Sequence, residues 1–339
     1  MTDDARVRTP EPDRLDPAAR PFVDLLTAVF PDVGGAVTDP VEARRILAAA
    51  PAHPAEPPAV GEVTDRTIPG PAGAPPIPVR IYRPEAGADA GPRPTVVFLH
   101  GGGWVLCGID THDRTCRSLC RESGAVVVSV DYRLAPEARF PAPVEDAYAA
   151  VCWAAEHVGE LGGEPAALVV AGDSAGGNLA AATALLARDR GGPALAGQVL
   201  IYPATDLAGQ PESYRTNGSG YYLTTAAMRW FRDQYLGPDG DPADPLASPL
   251  RADLTGLPPA HVITAGCDPL HDEGRAFAAA LRAAGTPVTE DCRPAMFHGF
   301  LAMSEYLDEA RQALRGAADA MAATLPDRKN HGDHGGSAG

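Results

Sequence analysis

The chain has 339 residues, 45% of them hydrophobic, which is enough for one large α/β domain with a small accessory part. Its formal net charge is −16 and its basic residues form no cluster, so nucleic acid is excluded as an expected partner, because phosphate binding needs a basic stripe. No apolar run approaches the ~18 residues of a membrane span, and the first residues do not resemble a signal peptide. We therefore expect a soluble, cytoplasmic protein without a membrane partner.

The six cysteines include no CxxC pair, and the chain lacks secretory features, so a disulfide framework is not expected. His112, Cys116 and Cys120 are spaced four residues apart on a predicted helix, which raises the alternative of a metal site. A structural zinc site needs four ligands, however, and no fourth residue completes this set. Buried or half-buried free thiols are the simpler interpretation, and we expect no metal.

Residues 1–58 are rich in proline and contain two short helical patterns, at 21–30 and at 40–50. A proline-dense linker separates these patterns from extended segments at 63–68 and 79–83. A Gly/Pro turn lies between the two extended segments, so we predict an antiparallel, hairpin-like pair at the start of a sheet.

Beyond this pair, short apolar runs alternate with helical stretches. Such alternation predicts a mostly parallel sheet with helices on both faces, in which the strands are apolar throughout. The predicted strands are 95–100, 125–132, 167–172, 198–202, 261–265 and 288–292. The predicted helices are 111–123, 144–161, 176–189, 270–284 and 300–325.

Residues 203–259 contain no strand pattern, only a polar stretch at 209–220 and a helix-like run at 225–236. A structureless loop of this length is uncommon in a compact domain, so we expect a lid or second subdomain that packs with the N-terminal helices. The end of the chain has almost no apolar residue and is expected to be disordered. The predicted division is cap helices and linker at 1–58, an α/β domain at 59–203 and 246–326, a cap insertion at 204–245 and a disordered tail at 327–339.

The sequence GDSAG at 172–176 lies between the strand-like run ALVVA and the helical run NLAAATALLA. A serine on a sharp strand-to-helix turn needs small neighbours, because its backbone is strained and its Oγ must stand clear of the sheet. The positive end of the following helix would also lie beside a forming oxyanion. Ser174 is therefore the predicted nucleophile, and an ordinary glycine-rich turn is the alternative.

The sequence HGGGW at 100–104 closes the strand-like run TVVFL. Three consecutive glycines at this place indicate that backbone N–H groups approach a ligand closely. Such donors stabilise an oxyanion by roughly 3–4 kcal/mol each, and we predict that Gly102, Gly103 and Ala175 supply them. A phosphate-binding loop is the rival interpretation, but the Walker lysine is missing and GxGxxG is not satisfied. His100 is expected to brace the loop.

A serine hydroxyl needs a base, and His298 is the predicted one. It follows the last predicted strand in a short loop, at a carboxyl strand end, where open α/β sheets place functional residues. The other histidines considered lie in the predicted tail, the linker or predicted helices away from strand ends: His331, His334, His53, His112 and His157.

The orienting acid is expected between Ser174 and His298 in the chain, the order that this kind of site uses. Asp268 directly follows the strand-like run HVITAGC. Asp272 and Glu273 are weaker candidates, because the dipole alone favours acids in the first turn of a helix. This mechanism needs no metal and no organic cofactor.

Together the motifs resemble the bacterial hormone-sensitive-lipase-like carboxylesterases, also called family IV. The resemblance covers about residues 60 to 325 and implies an α/β-hydrolase fold, a serine carboxylesterase and Asp268 as the triad acid. It also implies a cap built from the N-terminal helices and the insertion after Pro203. The motifs are HGGGW at 100–104, DYRLAPE at 131–137, FPAPVEDAY at 140–148, GDSAGG at 172–177, DPLHDEG at 268–274 and HGF at 298–300.

Such caps exclude water and shape the substrate pocket. Trp104 and Tyr202 are candidates to line that pocket, with core packing as the alternative for each, and Asp131 and Arg133 are expected to make structural polar contacts near the oxyanion loop. The expected substrate is a small to medium acyl ester. A non-catalytic ligand receptor and a specialised deacetylase or amidase are the alternatives, and edge strand 288–292 is a candidate homodimer contact.

Overall fold

The computed structural model describes residues 14–51, 55–85 and 91–326, so the predicted tail lies outside the described residues. One eight-stranded sheet forms its centre, with the strand order β1-β2-β4-β3-β5-β6-β7-β8. The strands are β1 (Glu62–Ile68), β2 (Ile77–Arg83), β3 (Arg93–Leu99), β4 (Val126–Val130), β5 (Gly163–Asp173), β6 (Gly197–Ile201), β7 (Ala260–Cys267) and β8 (Val288–Phe297).

Strand directions confirm the predicted mostly parallel sheet. Strand β2 runs antiparallel to both β1 and β4, and all other neighbouring strands are parallel. Strands β4, β6 and β7 are buried at every position, because helices cover both faces of the central sheet. The edge strand β8 instead alternates between exposed and half-buried positions along most of its length.

Ten α-helices are found in the described residues: α1 (Arg20–Val29), α2 (Pro40–Ala48), α3 (Ile109–Ser123), α4 (Ala142–Glu156), α5 (Val158–Leu161), α6 (Ala175–Asp189), α7 (Glu212–Thr216), α8 (Thr225–Leu236), α9 (His271–Ala283) and α10 (Asp308–Ala322). Helices α3 and α10 pack on one face of the sheet, while α4, α6 and α9 pack on the other. Within these ranges, no helix combines the length and the apolar character that crossing a bilayer requires.

Most predicted elements match within a few residues, and three depart from the prediction in a way that changes the local structure. The predicted helix 144–161 is divided into α4 and α5, because His157 leaves helical geometry at φ −108° and ψ 12°. The predicted helix 300–325 is a short 3₁₀ helix, Phe300–Met303, followed by α10 after the extended residue Leu307. The predicted strand 288–292 continues to Phe297, so the expected loop before His298 is absent.

The N-terminal helices pack against the segment between β6 and β7. The indole Nε1 of Trp230 on α8 donates to the carbonyl of Thr38 at 2.9 Å. Gly34 approaches α8 so closely that a Cβ there would lie 2.5 Å from the carbonyl oxygen of Ala226. Residues 14–48 and helices α7 and α8 thus form a contiguous layer, which we call the cover.

Candidate active site

Ser174 occupies the sharp turn between β5 and α6, with φ 56° and ψ −117°. The turn is held by its own N–H, which donates to the Ile201 carbonyl at 2.8 Å. It also depends on glycine, since a Cβ on Gly176 would lie 1.9 Å from the Leu99 carbonyl oxygen. Strained backbone of this kind persists only where the surrounding structure enforces it, and here it presents the hydroxyl at the end of the sheet.

The ends of β7 and β8 bring two further side chains to this hydroxyl. His298 Nε2 lies 2.9 Å from Ser174 Oγ, and His298 Nδ1 lies 2.7 Å from Asp268 Oδ2. Asp268 is fully buried, and its other oxygen accepts the Leu270 N–H at 2.9 Å. Three residues far apart in the sequence therefore form one continuous line of hydrogen bonds.

The two weaker acid candidates point elsewhere. Asp272 accepts the N–H of Ser213 at 2.8 Å. Glu273 is buried and accepts the N–H of Thr205 at 2.6 Å and the hydroxyl of Tyr214 at 2.7 Å. Both carboxylates tie helix α9 to α7, and Glu273 also holds the loop at Thr205; among the described residues, neither is hydrogen-bonded to a histidine.

Two residues support the histidine and the carboxylate. The Tyr202 ring packs against the imidazole of His298 with ring centroids 4.8 Å apart. Asn217 donates from Nδ2 to the carbonyls of Gly266 and Asp268, at 3.0 and 2.9 Å. Sequence analysis did not identify Asn217, because nothing in its local sequence indicates which loop it reaches.

The glycine-rich loop turns tightly beside the serine. Gly102 and Gly103 adopt positive φ values of 109° and 61°, and the Gly102 carbonyl accepts the N–H groups of Val105 and Leu106 at 3.2 and 2.9 Å. Within the described part of the chain, no acceptor pairs with the N–H groups of Gly102, Gly103 or Ala175. All three of these residues line the same cavity as Ser174.

His100 holds this loop from behind. Its Nδ1 lies 2.7 Å from the carbonyl oxygen of Gly101, and its ring stacks on Tyr132 with centroids 4.2 Å apart. Burial lowers the pKa of His100 to about 3, so the ring is neutral at ordinary pH. The carbonyl can only accept, and Nδ1 must therefore carry the proton and donate it.

The prediction that His112 lies far from the strand ends is wrong, because α3 brings its side chain to Asp173 at the end of β5. Its Nε2 lies 3.2 Å from Asp173 Oδ1, and the same oxygen accepts the Gly101 N–H at 2.9 Å. Burial alone would lower the pKa of His112, but the Asp173 carboxylate outweighs it and raises that pKa. Burial alone would raise the pKa of Asp173, but His112 outweighs it and lowers that pKa. A largely buried ion pair therefore lies directly beside Ser174.

No cluster of three or more potential metal ligands occurs among residues 14–51, 55–85 and 91–326. His112 is paired with Asp173, while Cys116 and Cys120 are buried free thiols on α3. Cys107, Cys152 and Cys292 are likewise free thiols.

A cavity of about 700 Å³ opens onto Ser174 and His298. Trp104 and Tyr202 both line it, and Trp104 is also core-packed, because its ring stacks on Tyr235 at 4.3 Å. The individual wall residues of the predicted cap were not identified from the sequence: the cover supplies Leu26, Phe30, Met228 and Phe231, and the turn between α7 and α8 supplies Tyr222 and Leu223.

Arg133 and Asp131 make structural polar contacts. Arg133 binds both carboxylate oxygens of Asp146 on α4, at 2.8 and 2.7 Å. Asp131 donates its backbone N–H to the Pro78 carbonyl at 3.0 Å, which links the end of β4 to β2. These contacts fix the segment that lies behind the glycine-rich loop.

A serine raised on a strand-to-helix elbow at the end of a mostly parallel sheet is the arrangement of the α/β hydrolases. The family model described as alpha/beta hydrolase fold matches residues 96–302 of the chain. The chain belongs to this family, within its hormone-sensitive-lipase-like, family IV branch.

Several relatives have names that describe ester hydrolysis. Carboxylic ester hydrolase LipN of Mycobacterium tuberculosis is 52% identical over 247 residues, which cover 71% of this chain and 64% of the relative, just under two thirds of its length. Carboxylesterase NlhH of Mycobacterium tuberculosis is 40% identical over 308 residues, covering 89% of this chain and 95% of the relative. The crystal structure of a thermostable esterase from Pseudomonas putida is 37% identical with a TM-score of 0.85, covering 94% of this chain and 99% of that one.

Proposed function

We propose that this chain is a serine carboxylesterase in which Ser174 is the nucleophile, His298 the general base and Asp268 the orienting acid. The observation that carries the proposal is the line of hydrogen bonds from Ser174 Oγ through His298 to Asp268, at 2.9 and 2.7 Å. The relatives named as carboxylesterases support the same reaction class.

In the acylation step, Ser174 Oγ attacks the ester carbonyl carbon while His298 Nε2 accepts the hydroxyl proton. Asp268 accepts the hydrogen bond from Nδ1–H and stabilises the imidazolium that forms. The carbonyl oxygen becomes an oxyanion and accepts the N–H groups of Gly102, Gly103 and Ala175.

His298 then returns the proton to the leaving alcohol as the tetrahedral intermediate collapses, which leaves the acyl group on Ser174. A water molecule gives its proton to the same nitrogen and attacks the acyl-enzyme carbonyl. Collapse of this second intermediate releases the carboxylic acid and restores the serine. Every proton passes through one imidazole, so this mechanism needs no metal or organic cofactor.

The expected substrate is a small to medium acyl ester. A cavity of about 700 Å³ lies within the usual size range of small-molecule sites, and its mostly apolar wall suits neutral acyl and alcohol groups. We propose that the cover is the cap of this site and excludes water from it. A net charge of −16 supports the proposal that nucleic acid is not a partner.

Two further assignments belong to this proposal. Free thiols at Cys107, Cys116, Cys120, Cys152 and Cys292 support a cytoplasmic location. The edge position of β8 supports pairing of two copies along this strand in a homodimer.

The test is the rate of p-nitrophenyl ester hydrolysis by wild type and Ser174→Ala, with the exposed Ser219→Ala as the matched control. We expect Ser174→Ala to keep the fold and lose at least ~10⁴-fold in kcat, because loss of a nucleophile disables the whole triad. A serine-reactive phosphonate should label only the peptide that contains Ser174. Near-normal turnover by pure Ser174→Ala, or a label on another peptide, would refute the assignment. An acyl-chain and leaving-group series that includes anilides separates an esterase from an amidase.

A further inference from the structure

Arg44 on α2 contacts the glycine-rich loop from outside the cavity. Its Nε donates to the Val105 carbonyl at 2.9 Å, and its Nη2 donates to the Ala135 carbonyl at 2.7 Å. Glu137 accepts from Nη1 and Nη2 at 2.7 and 2.8 Å, which fixes the plane of the guanidinium. The side chain is 30% exposed and is not part of the described cavity wall.

A chain of peptide groups leads from Arg44 to the proposed oxyanion donor. The Val105 carbonyl shares a peptide group with the Leu106 N–H, which donates to the Gly102 carbonyl at 2.9 Å. The Gly102 carbonyl in turn shares a peptide group with the Gly103 N–H. Two peptide groups therefore connect the guanidinium to the N–H of Gly103.

The direction of these hydrogen bonds determines their effect. A cation that donates to a carbonyl draws electron density toward oxygen, so the N–H of the same peptide becomes a stronger donor. Hydrogen bonds to charged donors are roughly twice as strong as neutral ones, and each further bond in a chain is strengthened by roughly 10–30%. Both steps act in the sense that makes Gly103 N–H a better donor to an oxyanion.

We propose that Arg44 is a positioning residue for ester hydrolysis, which orients and polarises the Gly103 N–H through the peptide groups 105–106 and 102–103. This inference rests on the proposed function. It assigns the cover a role besides enclosing the substrate, since α2 carries the cation that strengthens the oxyanion site.

The neighbouring donor is backed in the same manner by a neutral group. His100 Nδ1–H donates to the Gly101 carbonyl, whose peptide group carries the N–H of Gly102. A side chain therefore supports each glycine N–H: His100 supports that of Gly102 and Arg44 supports that of Gly103. Of these two side chains, Arg44 is the charged one and the one that belongs to the cover. Arg44 should consequently affect the rate of oxyanion formation without affecting substrate binding.

The experiment compares Arg44→Ala with Arg45→Ala, the adjacent arginine on α2, which pairs with exposed Glu42. Loss of a whole oxyanion donor lowers kcat by roughly 10²–10³-fold. Because Arg44→Ala only weakens one donor, we expect kcat to fall roughly 5- to 30-fold, with KM within about twofold of wild type. Active-site titration with a phosphonate corrects kcat for inactive protein. The rate constant of inactivation by that phosphonate should fall in parallel, and Arg45→Ala should change neither quantity by more than about twofold.

Chemical rescue separates polarisation from a merely structural contribution. Millimolar ethylguanidinium should restore part of the lost kcat in Arg44→Ala and none in Arg45→Ala, because it returns a planar cation to the space that the side chain left. If Arg44→Ala does not fold, Arg44→Lys carries the test. It keeps the charge but loses the forked donor, so an intermediate fall in kcat at constant KM is expected.

Wild-type kcat in Arg44→Ala, or in Arg44→Lys where that variant carries the test, would overturn the inference. A rise in KM at constant kcat would overturn it as well, because it would indicate a substrate contact. If the wild-type enzyme itself hydrolyses no ester, the proposed function fails and the inference fails with it. An active wild type with an insensitive Arg44 refutes the inference alone.

Discussion

Asp173→Asn tests the ion pair beside the serine. The substitution keeps an oxygen that can accept the Gly101 N–H but removes the negative charge opposite His112. The side chains of the pair are only 13% and 14% exposed, so solvent cannot replace the lost partner. We therefore expect a loss of stability much larger than a surface ion pair would give.

The expected magnitude follows from the distance. Two unit charges 3.2 Å apart attract by about 5 kcal/mol at an effective dielectric constant of about 20. Removal of one partner from a buried pair destabilises proteins by about 3–5 kcal/mol. His112 can release its proton when the carboxylate is gone, so the lower end, about 3 kcal/mol, is expected. In a chain of 339 residues, an unfolding entropy of about 2.1 cal/mol/K per residue converts that loss into a fall in Tm of roughly 4 °C.

The pair also gives stability a pH dependence. The pKa of His112 is raised in the folded state, so its contribution is complete below the unfolded value of 6.5 and is lost as pH rises through the raised pKa. The pKa of Asp173 is lowered, so its contribution is present above 3.8 and is lost as pH falls through the lowered pKa. The stability difference between wild type and Asp173→Asn should be largest between pH 3.8 and 6.5.

Urea unfolding of wild type and Asp173→Asn across this pH range measures the difference in their free energies of unfolding. The contributions of all other titratable groups cancel in that difference, because both proteins contain them. Asp189→Asn is the matched control, since its exposed carboxylate pairs with neighbouring Arg188 on the protein surface and should contribute less than about 1 kcal/mol. If Asp173→Asn unfolds at the same urea concentration as wild type near pH 5.5, or if the difference grows above pH 6.5, the ion-pair interpretation is wrong.

Two further predictions concern stability at other buried positions. Burial raises the pKa of Glu273 to about 8, so the stability of wild type relative to Glu273→Gln, which cannot ionise, should decline as pH rises from 4.5 to that value when both proteins are unfolded in urea. Gly103→Ala should lose roughly 3 kcal/mol or more and most activity, since its Cβ would lie 2.1 Å from the Phe231 ring at a φ of 61°. Gly124→Ala, at a φ of 67° with open space around its Cβ, should lose only about 1–2 kcal/mol in the same thermal unfolding assay, and equal losses would contradict the steric argument.

The sequence predicted the features that depend on short-range pattern. Apolar runs of strand length gave the order of elements, and Ser174, Asp268 and His298 each follow such a run directly or after a few residues. Parallel strands place their carboxyl ends at one edge of a sheet, so strand order was enough to suggest that these side chains meet. The hydrogen-bond distances between them required coordinates.

Features that depend on long-range packing could not be predicted. Arg44 and Arg45 are adjacent on one helix and look alike in the sequence, yet one reaches the Val105 carbonyl and the other pairs with Glu42. His112 was read as a helical residue, and only the packing of α3 against the sheet brings it to Asp173.

The last residues of β8 were not predicted as strand, again because their structure depends on a partner elsewhere in the chain. Its last residues include Arg293 and Pro294, which resemble a loop in sequence, and the strand continues because β7 supplies a partner as far as Cys267 opposite Phe297. Edge strands of this kind have no apolar signature of their own.

The placement of α1 and α2 means that part of the cavity wall is encoded ahead of the sheet that carries Ser174, Asp268 and His298. Leu26, Phe30 and Leu47 shape the cavity, yet they precede the first strand and contribute nothing to the hydrogen bonds of the sheet. Grafting residues 14–48 of another relative should therefore give chimeric enzymes with new substrate ranges. In such grafts an arginine at position 44 would have to be retained, since it is the one side chain of α2 that reaches the glycine-rich loop through a charged hydrogen bond.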